Sequence, residues 1–248
     1  MKKILLVTLI VFSAFGLAYW DTFVRVAPVT APNDGGGLIE EPQPDPLPQP
    51  DPTRVSLDVP YVNEAPENIW TGSWKNACEE ATIAMVDKYY AGVKTVSVPE
   101  AKVYLQALFD FQKREYGSDA NSDAARTLEI IKSEADFDGR VVTNPTIEQI
   151  KEELRAGRPI IGFHRGFDLQ NKNIPFLRTG SSYHTTVIKG FDDMAGHFIT
   201  HDPGDSKEGA DHVYEYELYM NSLHDYRYTT GLADGPPRVI FTFTKPSN

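Results

Sequence analysis

The chain has 248 residues, 41% of them hydrophobic, a formal net charge of −11 and a single cysteine. That charge argues against nucleic acid or an anionic lipid surface as partner, because both repel an acidic protein. A lone cysteine cannot form an intramolecular disulfide, so Cys78 serves either packing or chemistry.

Residues 1–20 carry Lys2 and Lys3, then an uncharged, mostly apolar run from Leu5 to Tyr19. This predicts a secretory signal, with Gly16 and Ala18 at cleavage positions, or a retained N-terminal membrane anchor. The run is short for a full span, which needs about 20 residues. Either way the protein is expected outside the cytoplasm, secreted or membrane-anchored through this segment alone. Residues 21–53 form a linker: eight prolines and three consecutive glycines cannot build a core. One globular domain is expected over 54–248.

Val55 to Val62 alternates between prolines and predicts a first strand. Residues 63–77 predict a loop with Pro66, Gly72, Trp70 and Trp74. Apolar Ala81, Ala84, Met85 and Tyr89 predict a helix over 78–90, stopped by Gly92. Ser97 and Glu100 form a capping box for a helix to about Tyr116. A third helix covers about 122–134, capped by Asn121 or Ser122. Thr146 and Gln149 cap a fourth, ending at Gly157. Strands then follow at Pro159–His164, Tyr183–Phe191, His197–His201 and Arg238–Thr244, with a polar loop over 165–182. Helices first and hairpin-linked strands later predict an α+β fold with an antiparallel sheet.

Cys78 opens its helix, where unpaired N–H groups and the positive dipole end favour a thiolate. A free thiol has a pKa near about 8.5 and needs such help. Glu79 and Glu80 work against it unless both point to solvent. The 183–201 hairpin brings His184 towards Asp202, so His184 can take the thiol proton while Asp202 fixes its tautomer. Cys, His and Asp in this order suit nucleophilic attack on a carbonyl. A metal set of His197, His201, Asp202 and His212 is disfavoured, because residues four apart on a strand stand about 13 Å apart. No Gly-rich phosphate loop is present, and no cofactor is expected.

Four blocks carry a family resemblance: Leu57–Tyr61; Glu64-Ala65-Pro66 with Trp70 and Ala77-Cys78-Glu79-Glu80-Ala81; Leu154–Ile160; and Tyr183–Asp193 with Phe198–Gly204. Together they resemble the C39-like cysteine peptidases, a papain-fold family, in a bacterial branch that reads Ala-Cys-Glu-Glu-Ala. The resemblance spans about residues 55–230. It implies helices packed on an antiparallel sheet, a Cys78–His184–Asp202 triad and a peptide or protein substrate. It also implies an oxyanion donor upstream of the cysteine, where papain-like enzymes use Gln. This sequence has no Gln between Pro60 and Cys78; Glu64 stands in its place. An ionised Glu would repel an oxyanion, which leaves Asn63, Asn68 or Asn76 as substitutes alongside the Cys78 N–H. Trp70, Trp74 and Tyr183 are cleft candidates.

Two functions compete: a peptidase or amidase, with acyl transfer to an amine as a variant, and a catalytically degenerate domain that binds peptides at a surface. A Cys78–His184 separation of roughly 3–4 Å favours the first; beyond about 6 Å favours the second.

Overall fold

A computed structural model of the chain describes residues 51–174 and 182–246. The segment read as signal or anchor, nearly all of the linker and the centre of the 165–182 loop lie outside these residues. Among the described residues no helix is long and apolar enough to cross a membrane.

Among the described residues, five α-helices and seven strands make an α+β fold. In chain order they are β1 (Arg54–Ser56), α1 (Cys78–Tyr90), α2 (Val98–Tyr116), α3 (Ala124–Glu134), β2 (Phe137–Thr143), α4 (Ile147–Arg155), β3 (Ile160–Arg165), β4 (Tyr183–Asp192), β5 (His197–His201), β6 (His212–Glu215), α5 (Tyr216–Ser222) and β7 (Arg238–Thr244). The strands form one sheet, ordered β2-β7-β3-β4-β5-β6, with β1 pairing β4. All its ladders are antiparallel.

The sheet has a core on each face, and alternation along the strands divides the side chains between them. Ile161, Val187 and Ile240 join Ala81, Met85, Phe109 and Ile130 from α1, α2 and α3. Their neighbours Ile160, Ile188 and Phe241 join Ile150 and Leu154 of α4 and Tyr219 of α5. The sheet is therefore covered by the early helices on one side and by α4 and α5 on the other. Covered on both faces, β4 is buried from Tyr183 to Phe191. Gly190 is dictated by close packing: a Cβ there would overlap the Val55 carbonyl oxygen of β1.

Local signals place most helix starts. Ser97 and Glu100 make the expected capping box, as do Thr146 and Gln149. The first strand is much shorter than the alternation predicts. After Ser56 only the Leu57 N–H bonds to β4, at the Lys189 carbonyl (2.8 Å). Pro60 cannot donate, and the Val59 carbonyl serves His201 instead. The cap of α3 also differs: Asp123 accepts from the Arg126 N–H (2.9 Å). Ser122 is not available, because its hydroxyl donates to Gln112 and its N–H to Glu79. Strands β2 and β6 and the seven-residue α5 are absent from the sequence-based expectation.

Candidate active site

Cys78 is the first residue of α1, preceded by Ala77, which offers no side-chain cap. Cys78 borders a cleft, and the cap position offers the first-turn N–H groups no side-chain acceptor. This cleft measures about 470 Å³ and is lined by Glu64, Trp70, Asn76, Cys78, Asn121 and Tyr183, among others. Cys78 itself is 3% exposed.

His184 starts β4, where it pairs with His164 of β3. In the hairpin, Val187 faces His201, so Asp202 leaves β5 just short of His184. The Asp202 side chain closes the gap: His184 Nε2 bonds Asp202 Oδ1 at 2.7 Å, with both side chains fully buried. Burial alone would raise the Asp202 pKa. The His184 charge, the His184 bond and the Tyr214 bond outweigh it and hold the carboxyl at about 2. Asp202 is thus ionised, Nε2 must carry a proton to donate, and Nδ1 is the nitrogen able to accept one. Tyr214 donates to Asp202 Oδ2 (2.5 Å), Asn171 Nδ2 donates there as well (3.3 Å), and the Gly204 N–H donates to Oδ1 (3.2 Å). The carboxylate is fixed from four directions, which orients the imidazole in turn.

Cys78 Sγ, a His184 ring nitrogen and a Glu64 carboxyl oxygen all lie within 4.8 Å of one another. That is inside the limit beyond which a binding module is favoured. The thiol donates to Glu79 Oε2 (3.0 Å). Burial pushes its pKa well above the usual thiol value, the neighbouring acidic side chains, Glu79 foremost, push further, and Thr185 pulls the other way. The resting state is therefore a neutral thiol beside the imidazole. Glu79 and Glu80 do not point to solvent: they are 1% and 2% exposed. Glu79 Oε1 accepts the Ser122 N–H (2.6 Å), and Glu80 Oε1 accepts from Gln112.

The remaining candidates separate cleanly. Glu64 lines the cleft, and its N–H bonds the Pro203 carbonyl (3.1 Å), tying its loop to the turn after Asp202. Burial, then the charges of Asp202, Glu79 and Glu80, raise its pKa well above the carboxylate range. Both effects disfavour the ionised form, against the expectation of an ionised, repelling Glu. Asn63 is occupied within its own loop, donating to Tyr61 and accepting from the Ala65 N–H. Asn76 lines the cleft. Trp70 also lines it, half-buried, whereas Trp74 stacks edge-on against Phe109 of α2, with centroids 5.1 Å apart. Tyr183 forms part of the wall and donates to the Ser122 carbonyl (2.7 Å).

The histidines weighed as metal ligands go elsewhere. His201 bonds the Val59 carbonyl and the Asp211 N–H, and His212 bonds the Glu208 carbonyl. Glu64, Cys78 and His184 are, among the described residues, the donor set close enough to consider for an ion. Burial raises the pKa of both the thiol and the Glu64 carboxyl, which disfavours the deprotonated forms that ligation needs.

The Peptidase_C39 like family model matches residues 56–234. The chain belongs to this family. A solved structure designated a C39-like peptidase from Bacillus anthracis is similar at 15% identity and a TM-score of 0.48, covering 79% of this chain and 99% of that one. No curated protein matches. The C39-like domain has a papain-like fold, with one helix carrying the cysteine against a sheet that carries the histidine, and the aspartate just past the end of β5.

Residue-by-residue reading missed Tyr214, Asn171 and His164. Tyr214 lies on the unforeseen β6, and Asn171 in a loop without a motif. His164 is buried between Ser222 and Thr186 (2.8 and 3.1 Å) and carries only the bland signal of a histidine in a strand.

Proposed function

We propose that the C39-like domain is a cysteine peptidase or amidase acting outside the cytoplasm on a peptide or protein, with Cys78, His184 and Asp202 as its triad. The observation that supports this best is the buried His184–Asp202 bond beside a thiol at a helix N-terminus.

His184 Nδ1 takes the Cys78 proton as Sγ attacks the amide carbon. The carbonyl π pair moves to oxygen and gives a tetrahedral oxyanion. The C–N bond then breaks, His184 returns the proton to the leaving amine, and a thioester remains. Water attacks the thioester, with its proton going to His184, and the C–S bond breaks to release acid and thiol. Asp202 stays ionised throughout and stabilises the imidazolium. Trp70 and Tyr183 supply the apolar walls that hold a chain across the cleft, and residues 1–20 would deliver or tether the domain.

Peptide-library cleavage by wild type and Cys78→Ala tests this reading. Products formed by wild type alone are expected; no products from wild type, or equal products from both, would overturn it.

A second reading, peptide binding without turnover, is favoured by one observation: the thiol donates to Glu79. It predicts wild type and Cys78→Ala retaining library peptides equally, both uncleaved.

A further inference from the structure

We infer that Glu64 is a catalytic residue whose neutral carboxylic acid donates an O–H hydrogen bond to the oxyanion formed on attack by Cys78. The inference rests on the triad reading above and adds the donor that reading lacks.

Position comes first. Glu64 sits in the loop before α1, with its backbone anchored to Pro203, and its carboxyl lies within 4.8 Å of both the thiol sulfur and a His184 nitrogen. It borders the same cleft as Cys78. A carbonyl carbon bonded to Sγ therefore places its oxygen within reach of this carboxyl.

Chemistry comes next. Glu64 is 1% exposed, and neither carboxyl oxygen has a hydrogen-bond partner among the described residues. Buried polar groups without partners are rare and costly, so this one calls for a reason. An ionised form would be a bare charge near the ionised Asp202 and the buried Glu79 and Glu80. The neutral acid avoids that cost and keeps one O–H to give. Among the described residues the O–H has no acceptor, and the oxyanion offers a charged one. A hydrogen bond that strengthens as the negative charge develops lowers the barrier. Carboxylic acids held neutral by an apolar site are established oxyanion donors in other enzymes. The proton stays on Glu64: the bond stabilises charge and transfers nothing.

This also explains how Glu can replace Gln here. A protonated Glu and a Gln are nearly isosteric, and each offers a donor at the end of the side chain. Asn63 is held within its own loop instead, donating to Tyr61 and accepting from the Ala65 N–H.

Two probes on the full chain isolate the role. Iodoacetamide alkylates Cys78 without forming an oxyanion, whereas p-nitrophenyl acetate acylates it through one. The ratio of acylation to alkylation reports the donor. In Glu64→Ala this ratio should fall about 10²-fold. In Glu64→Gln it should stay within about tenfold of wild type, because the amide still donates. As pH rises, the wild-type ratio should fall as Glu64 ionises, while the Gln variant's holds. An unchanged ratio in Glu64→Ala, an equal loss in Glu64→Gln, or identical pH profiles for wild type and Glu64→Gln would overturn the proposal. Equally slow alkylation of wild type and His184→Ala would overturn the triad, and this proposal with it, whatever the ratio.

Discussion

Asp202→Asn separates the electrostatic contribution of the His184–Asp202 pair from its shape. The folded carboxyl titrates at about 2, against 3.8 unperturbed. Because the folded pKa is the lower one, the charge stabilises the fold above the unfolded pKa. That stability is lost as pH falls through 3.8 towards 2. The gap corresponds to about 2 kcal/mol at pH 6, shrinking to about 1 kcal/mol at pH 3, where part of the linkage has already been titrated away. The burial is complete, so solvent screening does not erode the figure. Denaturant unfolding of wild type and Asp202→Asn from pH 3 to 6 should show two curves that converge by about 1 kcal/mol towards acid. A constant offset across that range would mean that the pair contributes packing only. The same variant can donate to Nε2 as well as accept from it, so the His184 tautomer is no longer fixed. Alkylation of Cys78 at neutral pH should slow as a result.

Other outcomes follow from the same contacts. Tyr214→Phe removes one of the two donors to Asp202 Oδ2 and should cost about 1.5–3 kcal/mol by denaturant unfolding, the range for a bond to a charged acceptor. Its cost should also fall with acidification, since the lost partner is the carboxylate. Glu79→Gln takes a negative charge from beside the thiol. The alkylation profile of Cys78 should then shift to lower pH and the rate at pH 7 should rise several-fold; an unmoved profile would show that Glu79 does not hold the thiol back. Gly190→Ala forces a methyl into the Val55 carbonyl where β1 joins β4. It should cost about 1–3 kcal/mol, as overpacking does, read as a lowered Tm.

How far the sequence reaches is clearest where a local rule meets no competitor. The capping boxes of α2 and α4 are self-contained in four residues each, and both form. The short run at Ile160–Phe163 needs only its own apolar character to mark it as a buried strand. The α3 cap misleads because Ser122, a good cap in isolation, is claimed by Glu79 and Gln112, residues distant in sequence. Strand β1 stops early for the same kind of reason: His201 takes the carbonyl that would have extended the ladder. Three of the four residues of the short β6, HVYE, are not buried, and it gains its place from pairing with β5 rather than from its own pattern. With it went Tyr214, and so the support of Asp202.

The acidic residues around Cys78 make the deeper case. A sequence shows Glu64, Glu79 and Glu80 as three negative charges, and three charges beside a thiol argue against catalysis. The fold buries all three to 2% exposure or less. Burial raises each pKa before any neighbour acts, and their mutual repulsion adds to it for Glu64 and Glu80. Charge is thus not a property the residue type carries into the site. Glu79 and Glu80 accept hydrogen bonds that partly offset the shift, from Ser122 and from Gln112. Glu64 accepts none among the described residues, which makes it the acid best kept protonated and the one with an O–H to spend. On the proposed role, the same departure from Gln that reads as a defect in the sequence becomes, once desolvated, a donor that works only while its proton stays on. Turnover by that route would depend on pH in a way that a Gln would not impose.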